Sequence, residues 1–143
     1  MVAGLVLVLV VGAWALERKG DSAQSGGYSI AVIKGGRTVD TFTLDQLKQL
    51  ESRRVRMQGQ WEQGPSVLSV LHEAGIDRFK TVTFVGANVV SSGASGGTLT
   101  LRRAEVDEDV ILDIATRGTA KACGPEIPRN SRIRDVVRIE VAE

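Results

Sequence analysis

The chain has 143 residues, with 18 Lys and Arg against 17 Asp and Glu, giving a formal net charge of +1. That balance withholds the clustered excess of cations that a nucleic-acid footprint requires. Only three Phe, two Trp and one Tyr are present, so the core is built mainly from Val, Leu and Ile, and the single Cys123 cannot close an internal disulfide.

Residues 1–16 carry no charged side chain, and Glu17, Arg18 and Lys19 follow at once. As a helix this run spans roughly 24 Å, short of a hydrocarbon core of about 30 Å, and local thinning or headgroup anchoring by Trp14, Arg18 and Lys19 is needed to cover the difference. Ala13, Trp14 and Ala15 also have the small-x-small pattern of a secretory cleavage site, but no basic residue precedes the apolar run. The expectation is a retained transmembrane anchor over residues 1–19. Residues 20–27, small and polar, read as a flexible tether of about 15 Å. The remaining residues 28–143 suit one domain.

That domain opens with two β-rich runs, residues 28–34 and 37–42, joined by Gly35 and Gly36 as in a hairpin. Thr43 and Gln46 then form a capping box that starts a short helix with Leu44, Leu47 and Leu50 on its buried face. Residues 53–58 alternate, with Val55 and Met57 on one side, and read as a half-exposed strand. The Gln-rich stretch 58–63 reads as a loop carrying Trp61. Residues 67–74 place Val67, Leu68, Leu71 and Ala74 on one helical face, with Gly75 as the terminating residue.

Residues 81–85 form a strand with Val82 and Phe84 on one face, extended by Val89 and Val90. The small residues 91–97 have no phosphate-loop spacing and read as a turn. A further strand over 98–102, an acidic turn over 104–109, an apolar run over 110–115, a loop bearing Cys123, Gly124, Pro125 and Pro128, and a terminal strand over 136–141 complete the chain. Strands and short helices mix without strict alternation, which predicts the α+β class.

The Arg groups 53, 54, 56 and 129, 132, 134, 138 are read as solvated faces. His72 is the only histidine, so no histidine cluster can hold a metal, and no nucleophile signature accompanies it, Ser69 or Glu73. It reads as a surface residue. Glu105, Asp107, Glu108 and Asp109 lack the glycine and ligand spacing of a calcium loop. Cys123 reads as a packed side chain, with a redox role as the alternative.

The order of these parts, with Phe42-Thr43-Leu44-Asp45, the stretch Gly64 to Ile76, Val82-Thr83-Phe84, Arg117-Gly118, Gly124-Pro125 and Val136 to Val141, resembles the sulfite-oxidase-type molybdopterin-binding domain over residues 28–142. The resemblance implies an α+β fold and a molybdenum-binding cysteine at the end of a strand. The matching stretch, residues 55–61, contains no cysteine, and a thioether at Met57 does not replace a thiolate.

The resemblance also implies a domain outside the cytoplasm, against the weak positive-inside bias of Arg18 and Lys19. The resulting expectation is a single-pass membrane protein with a periplasmic C-terminal domain. It acts without catalysis or cofactor as an accessory subunit docked on an integral membrane complex, with Trp14, Trp61 and Phe79 as contact anchors. The alternative is a small redox protein that retains a pterin or another ligand in the cleft.

Overall fold

The computed structural model describes residues 27–87, 97–114 and 118–143. Nine strands and two short helices lie within them. In chain order they are β1 (Ser29–Lys34), β2 (Arg37–Thr43), α1 (Leu44–Gln49), β3 (Ser52–Met57), β4 (Gln60–Pro65), α2 (Val67–Glu73), β5 (Thr81–Gly86), β6 (Thr98–Arg102), β7 (Ile111–Ile114), β8 (Ala120–Cys123) and β9 (Val136–Ala142). The protein is therefore mostly β, and the α+β class is corrected. Two segments read as loops are strands: the Gln-rich stretch is β4, and Cys123 ends β8.

Local chemistry explains the elements that the pattern located. Gly35 and Gly36 take φ of +61° and +75°, the left-handed turn that returns β2 antiparallel to β1. Thr43 Oγ1 accepts from the Gln46 amide at 3.2 Å while Gln46 Oε1 accepts from the Thr43 amide at 2.8 Å, closing the capping box of α1. Ser66 Oγ caps α2 by accepting from the Ser69 amide at 3.1 Å. Both helices stop after two turns or fewer, and their inward faces are narrow: Leu47 in α1, and Val67, Val70 and Leu71 in α2. Val70 takes the fully buried place expected for Leu68, which is half-buried.

The main sheet has the order β2-β1-β9-β5-β6, antiparallel except where β1 and β9 run parallel. Its inner face sets Ile30, Val32, Val82, Phe84, Leu101, Ile139 and Val141 against α2, Leu47 and the β7-β8 hairpin. Strand alternation lets that hairpin serve two layers. Leu112 and Ala122 face the main core, whereas Ile111 and Cys123, paired across the hairpin, turn outward to a second cluster with Val55 and Met57 of β3. The β3-β4 hairpin lies beside β7, edge to edge, where Ser66 just past β4 forms an antiparallel bridge with Ile111. Gly64 makes this approach possible, because a Cβ there would stand 1.8 Å from the Leu112 carbonyl oxygen. Tyr28 secures the start of β1: its hydroxyl donates to the Val136 carbonyl and accepts from the Ala120 amide.

Among the described residues no helix is long and apolar enough to cross a membrane. The transmembrane, single-pass expectation and the membrane localisation built on it are corrected to that extent: no described helix carries them. A span needs about 20 apolar residues, and the two helices here have six and seven. The apolar run with Trp14, Arg18 and Lys19, and the tether up to residue 26, lie outside the described residues.

Candidate binding face on the outer hairpin

The turn between β3 and β4 consists of Gln58 and Gly59, at φ of +52° and +84°. Both central residues are left-handed, as a two-residue hairpin of matching twist requires. The register it sets places Arg56 opposite Trp61 and Arg54 opposite Gln63. All four therefore share the outward face, while Val55 and Met57 point to the core. Trp61 is 53 % exposed, one of two large hydrophobic side chains left open to solvent among the described residues. The guanidinium carbon of Arg54 lies 4.6 Å from the indole centroid, and that of Arg56 lies 5.9 Å away. The indole face attracts both cations and favours their position over the ring.

The neighbouring cations are engaged differently. Arg53, on the other side of the same strand, donates to Asp109 at 2.8 Å and pairs with Glu108 at 3.4 Å. Neither Arg54 nor Arg56 has a carboxylate partner among the described residues. The one acid of β4, Glu62, points inward to Lys121 at 3.2 Å. The outer face consequently carries two arginines and a tryptophan with no acid among them.

Phe79 is not part of such a face. It is 8 % exposed, lies in the main core and is covered by the Arg103 guanidinium carbon, 5.3 Å from its ring. Ile76 and Phe79, which follow α2, both belong to the main buried cluster. Trp14 lies outside the described residues. Of the three anchors expected from sequence, Trp61 alone is seen at the surface. The arginines that flank it were read as ordinary solvated charge. The signal that would have found them is the i, i+2 spacing of Arg54 and Arg56, brought across a two-residue turn to Trp61.

Beneath the outer hairpin, Glu62, Asp113 and Lys121 form a half-buried cluster. Asp113 Oδ1 accepts from the Gln63 amide at 3.0 Å, and Lys121 lies 4.0 Å from the other carboxylate oxygen. Burial and the nearby Glu62 raise the Asp113 pKa despite that amide and Lys121. Cys123 is fully enclosed, and desolvation pushes its thiol up to about 12. A protonated, inaccessible thiol is a poor nucleophile and a poor metal ligand.

These facts bear directly on the molybdenum that the family resemblance implies. β3 ends in the buried thioether of Met57, and Cys123 reaches the same small cluster only as an enclosed, protonated thiol. The residues present do not fit molybdenum held by protein sulfur. Among the described residues no group of three or more His, Cys, Asp and Glu side chains has the arrangement of a metal site.

A cleft of about 550 Å³ opens on the other side of β3, where Leu50, Leu68, Ser66, Ser69, His72 and Glu73 meet Arg53 and Glu108. His72 Nδ1 is 2.6 Å from Asp77 Oδ1, and that hydrogen bond raises its pKa. Ser66 Oγ donates to Ser69 Oγ at 2.9 Å. The imidazole thus pairs with Asp77 rather than with either serine, and no nucleophile–base pair is assembled.

No family model matches the chain, and no curated protein matches it.

Proposed function

We propose that this protein is a non-catalytic binding module that docks on a larger protein complex through the outer face of the β3-β4 hairpin. The observation that carries this reading is Trp61, open to solvent and stacked beneath Arg54 and Arg56, on a face where no acid neutralises them. Trp and Arg are the residue types in which interface energy concentrates, and an arginine already stacked on an indole loses less side-chain entropy on binding. Met57 and the enclosed Cys123 supply no competing metal chemistry at the position where the resemblance expects it. The test is site-specific photo-crosslinking in the cells that make the protein. A benzophenone side chain at position 63, on the outer face, captures one defined partner, and the same group at position 77 does not. Equal capture from both positions rules the face out.

A second reading, a protein that binds a small anionic ligand, is favoured by Arg132. This residue is more than nine-tenths buried, and its Nε and Nη2 atoms have no hydrogen-bond partner among the described residues. Those two atoms form one edge of the guanidinium fork, the edge that grips an oxyanion through two parallel bonds. The Ala122–Ile133 bridge sets Arg132 beside Cys123 in register. Calorimetric titration with inorganic phosphate and sulfate tests this reading: saturable heat that disappears in Arg132→Gln supports it, and no heat with either anion dismisses it.

A further inference from the structure

We infer that the partner of the outer face is an extended segment of another protein that adds as a strand beside β3, with acidic residues at alternate positions. This inference rests on the docking function proposed above and specifies what docks. β3 pairs with β4 on one side only. Apart from its ladder with β4, no backbone hydrogen bond joins any of its six residues to another part of the described chain. Among the described residues nothing pairs with its other edge, which spans about 20 Å and has the form of a template for strand addition.

The side chains define what that strand must carry. In a ladder, residues directly opposite one another share a face. The segment added beside β3 then has two alternate positions facing Arg54 and Arg56 from the side away from Trp61. A carboxylate at each position meets a guanidinium held over the indole that has no carboxylate partner among the described residues. The order across the face becomes acid, arginine, tryptophan. The intervening positions of the added strand turn inward, beside Val55 and Met57, and continue their apolar layer. The recognised chemistry is accordingly a short segment that alternates acidic and apolar residues. The face itself carries no carboxylate to repel it, because Glu62 is turned inward and paired with Lys121.

Three consequences separate this mode from simple charge attraction. Binding depends on backbone pairing as well as on charge, it requires the alternation, and it weakens with salt without vanishing.

The experiment uses the full chain and a fluorescein-labelled octapeptide, Val-Glu-Val-Glu-Val-Glu-Val-Thr, followed by fluorescence anisotropy. Three control probes are run beside it: the same peptide with Gln for Glu, an isomer with its three Glu residues contiguous, and a twelve-residue oligodeoxythymidylate. The alternating acidic peptide is expected to bind saturably. Arg54→Glu and Arg56→Glu should each weaken it by about tenfold or more, because each substitution sets like charges opposite one another in the ladder. Trp61→Ala should weaken it less, through loss of the arginine clamp. N-methylation of the alternate peptide amides that face β3 should abolish binding with every charge retained.

Equal binding of the contiguous isomer, or of the N-methylated peptide, overturns strand addition. Tighter binding of the oligonucleotide overturns the acidic-protein assignment, and so does concentration-dependent self-association of the chain that excludes the peptide. If none of the peptides binds while the position-63 crosslink still captures a partner, this inference fails and the docking function stands. If position 63 captures nothing, both fail.

Discussion

Gly64→Ala tests the close approach that sets the outer hairpin in place. A Cβ at this position would lie 1.8 Å from the Leu112 carbonyl oxygen and 2.7 Å from its carbonyl carbon. An ordinary carbon–oxygen contact is about 3.3 Å, so the two hairpins must separate by about 1.5 Å to admit the methyl group. The obstacle is backbone within β7, which cannot rotate away as a side chain can. The same movement opens the cluster of Val55, Met57, Ile111 and Cys123 and lengthens the Gln63–Asp113 hydrogen bond. The cost should reach or exceed the upper end of ordinary overpacking, about 3 kcal/mol.

With a urea slope of about 2 kcal/mol/M for a domain of this size, the unfolding midpoint should fall by about 1.5 M. Gly59→Ala is the control. Its φ of +84° imposes left-handed strain, but nothing lies within 4 Å of the added methyl, so it should cost about 1 kcal/mol. Urea unfolding followed by far-ultraviolet circular dichroism measures both. A Gly64→Ala loss no greater than that of Gly59→Ala would refute the close edge-to-edge approach of β4 to β7.

Leu71→Ala, at a fully buried position between α2 and the sheet, should cost about 2 to 5 kcal/mol by the same assay. Asp113 has a pKa raised above its ordinary 3.8, so the folded state holds its proton more firmly than the unfolded state does. Stability must then fall as pH rises from about 4 through the raised value, and Asp113→Asn, which keeps the amide-accepting oxygen, should flatten that fall in a pH series of urea midpoints. Native Cys123 should resist a thiol-reactive disulfide reagent at pH 8 and react at once in denaturant, since burial keeps it protonated up to about 12. The His72 ring should titrate above 6.5 by proton NMR and return toward 6.5 in Asp77→Asn, because the Asp77 hydrogen bond is the main cause of the shift.

What could be read in the chain was what local chemistry decides. Gly35 and Gly36 announce their hairpin, Thr43 and Gln46 start α1, and Ser66 with Gly75 brackets α2. The β4 strand escaped notice because Gln58-Gly59 lacks the Asn-Gly signature of a tight turn, and Gln60 to Gln63 has few apolar residues to show a period. It is a strand because β3 pairs with it and β7 supports it, both non-local facts. β8 was hidden for a similar reason: Ala120 and Ala122 are small enough to pack beneath Leu112, but alanine gives little β signal. The mostly β class follows from these two omissions. The exposure of Trp61 is legible in its Gln-rich surroundings, whereas its contact with Arg54 and Arg56 depends on the β3-β4 register. Phe79 reads equally as a contact anchor or a core residue, because exposure cannot be read from a flanking loop, and the fold places it in the core.

The central claim is that the face of Trp61, Arg54 and Arg56 holds the protein on its partner, and its most direct test is quantitative recovery. The wild-type chain and Trp61→Ala, matched in expression and each shown to unfold at the same urea concentration within the surface range of about 0.5 kcal/mol, are purified side by side with isotope-coded mass spectrometry of what accompanies them. The account predicts that the position-63 crosslinked partner is recovered in stoichiometric amount with the wild type and falls severalfold with Trp61→Ala. Equal recovery of that partner with both chains would contradict it.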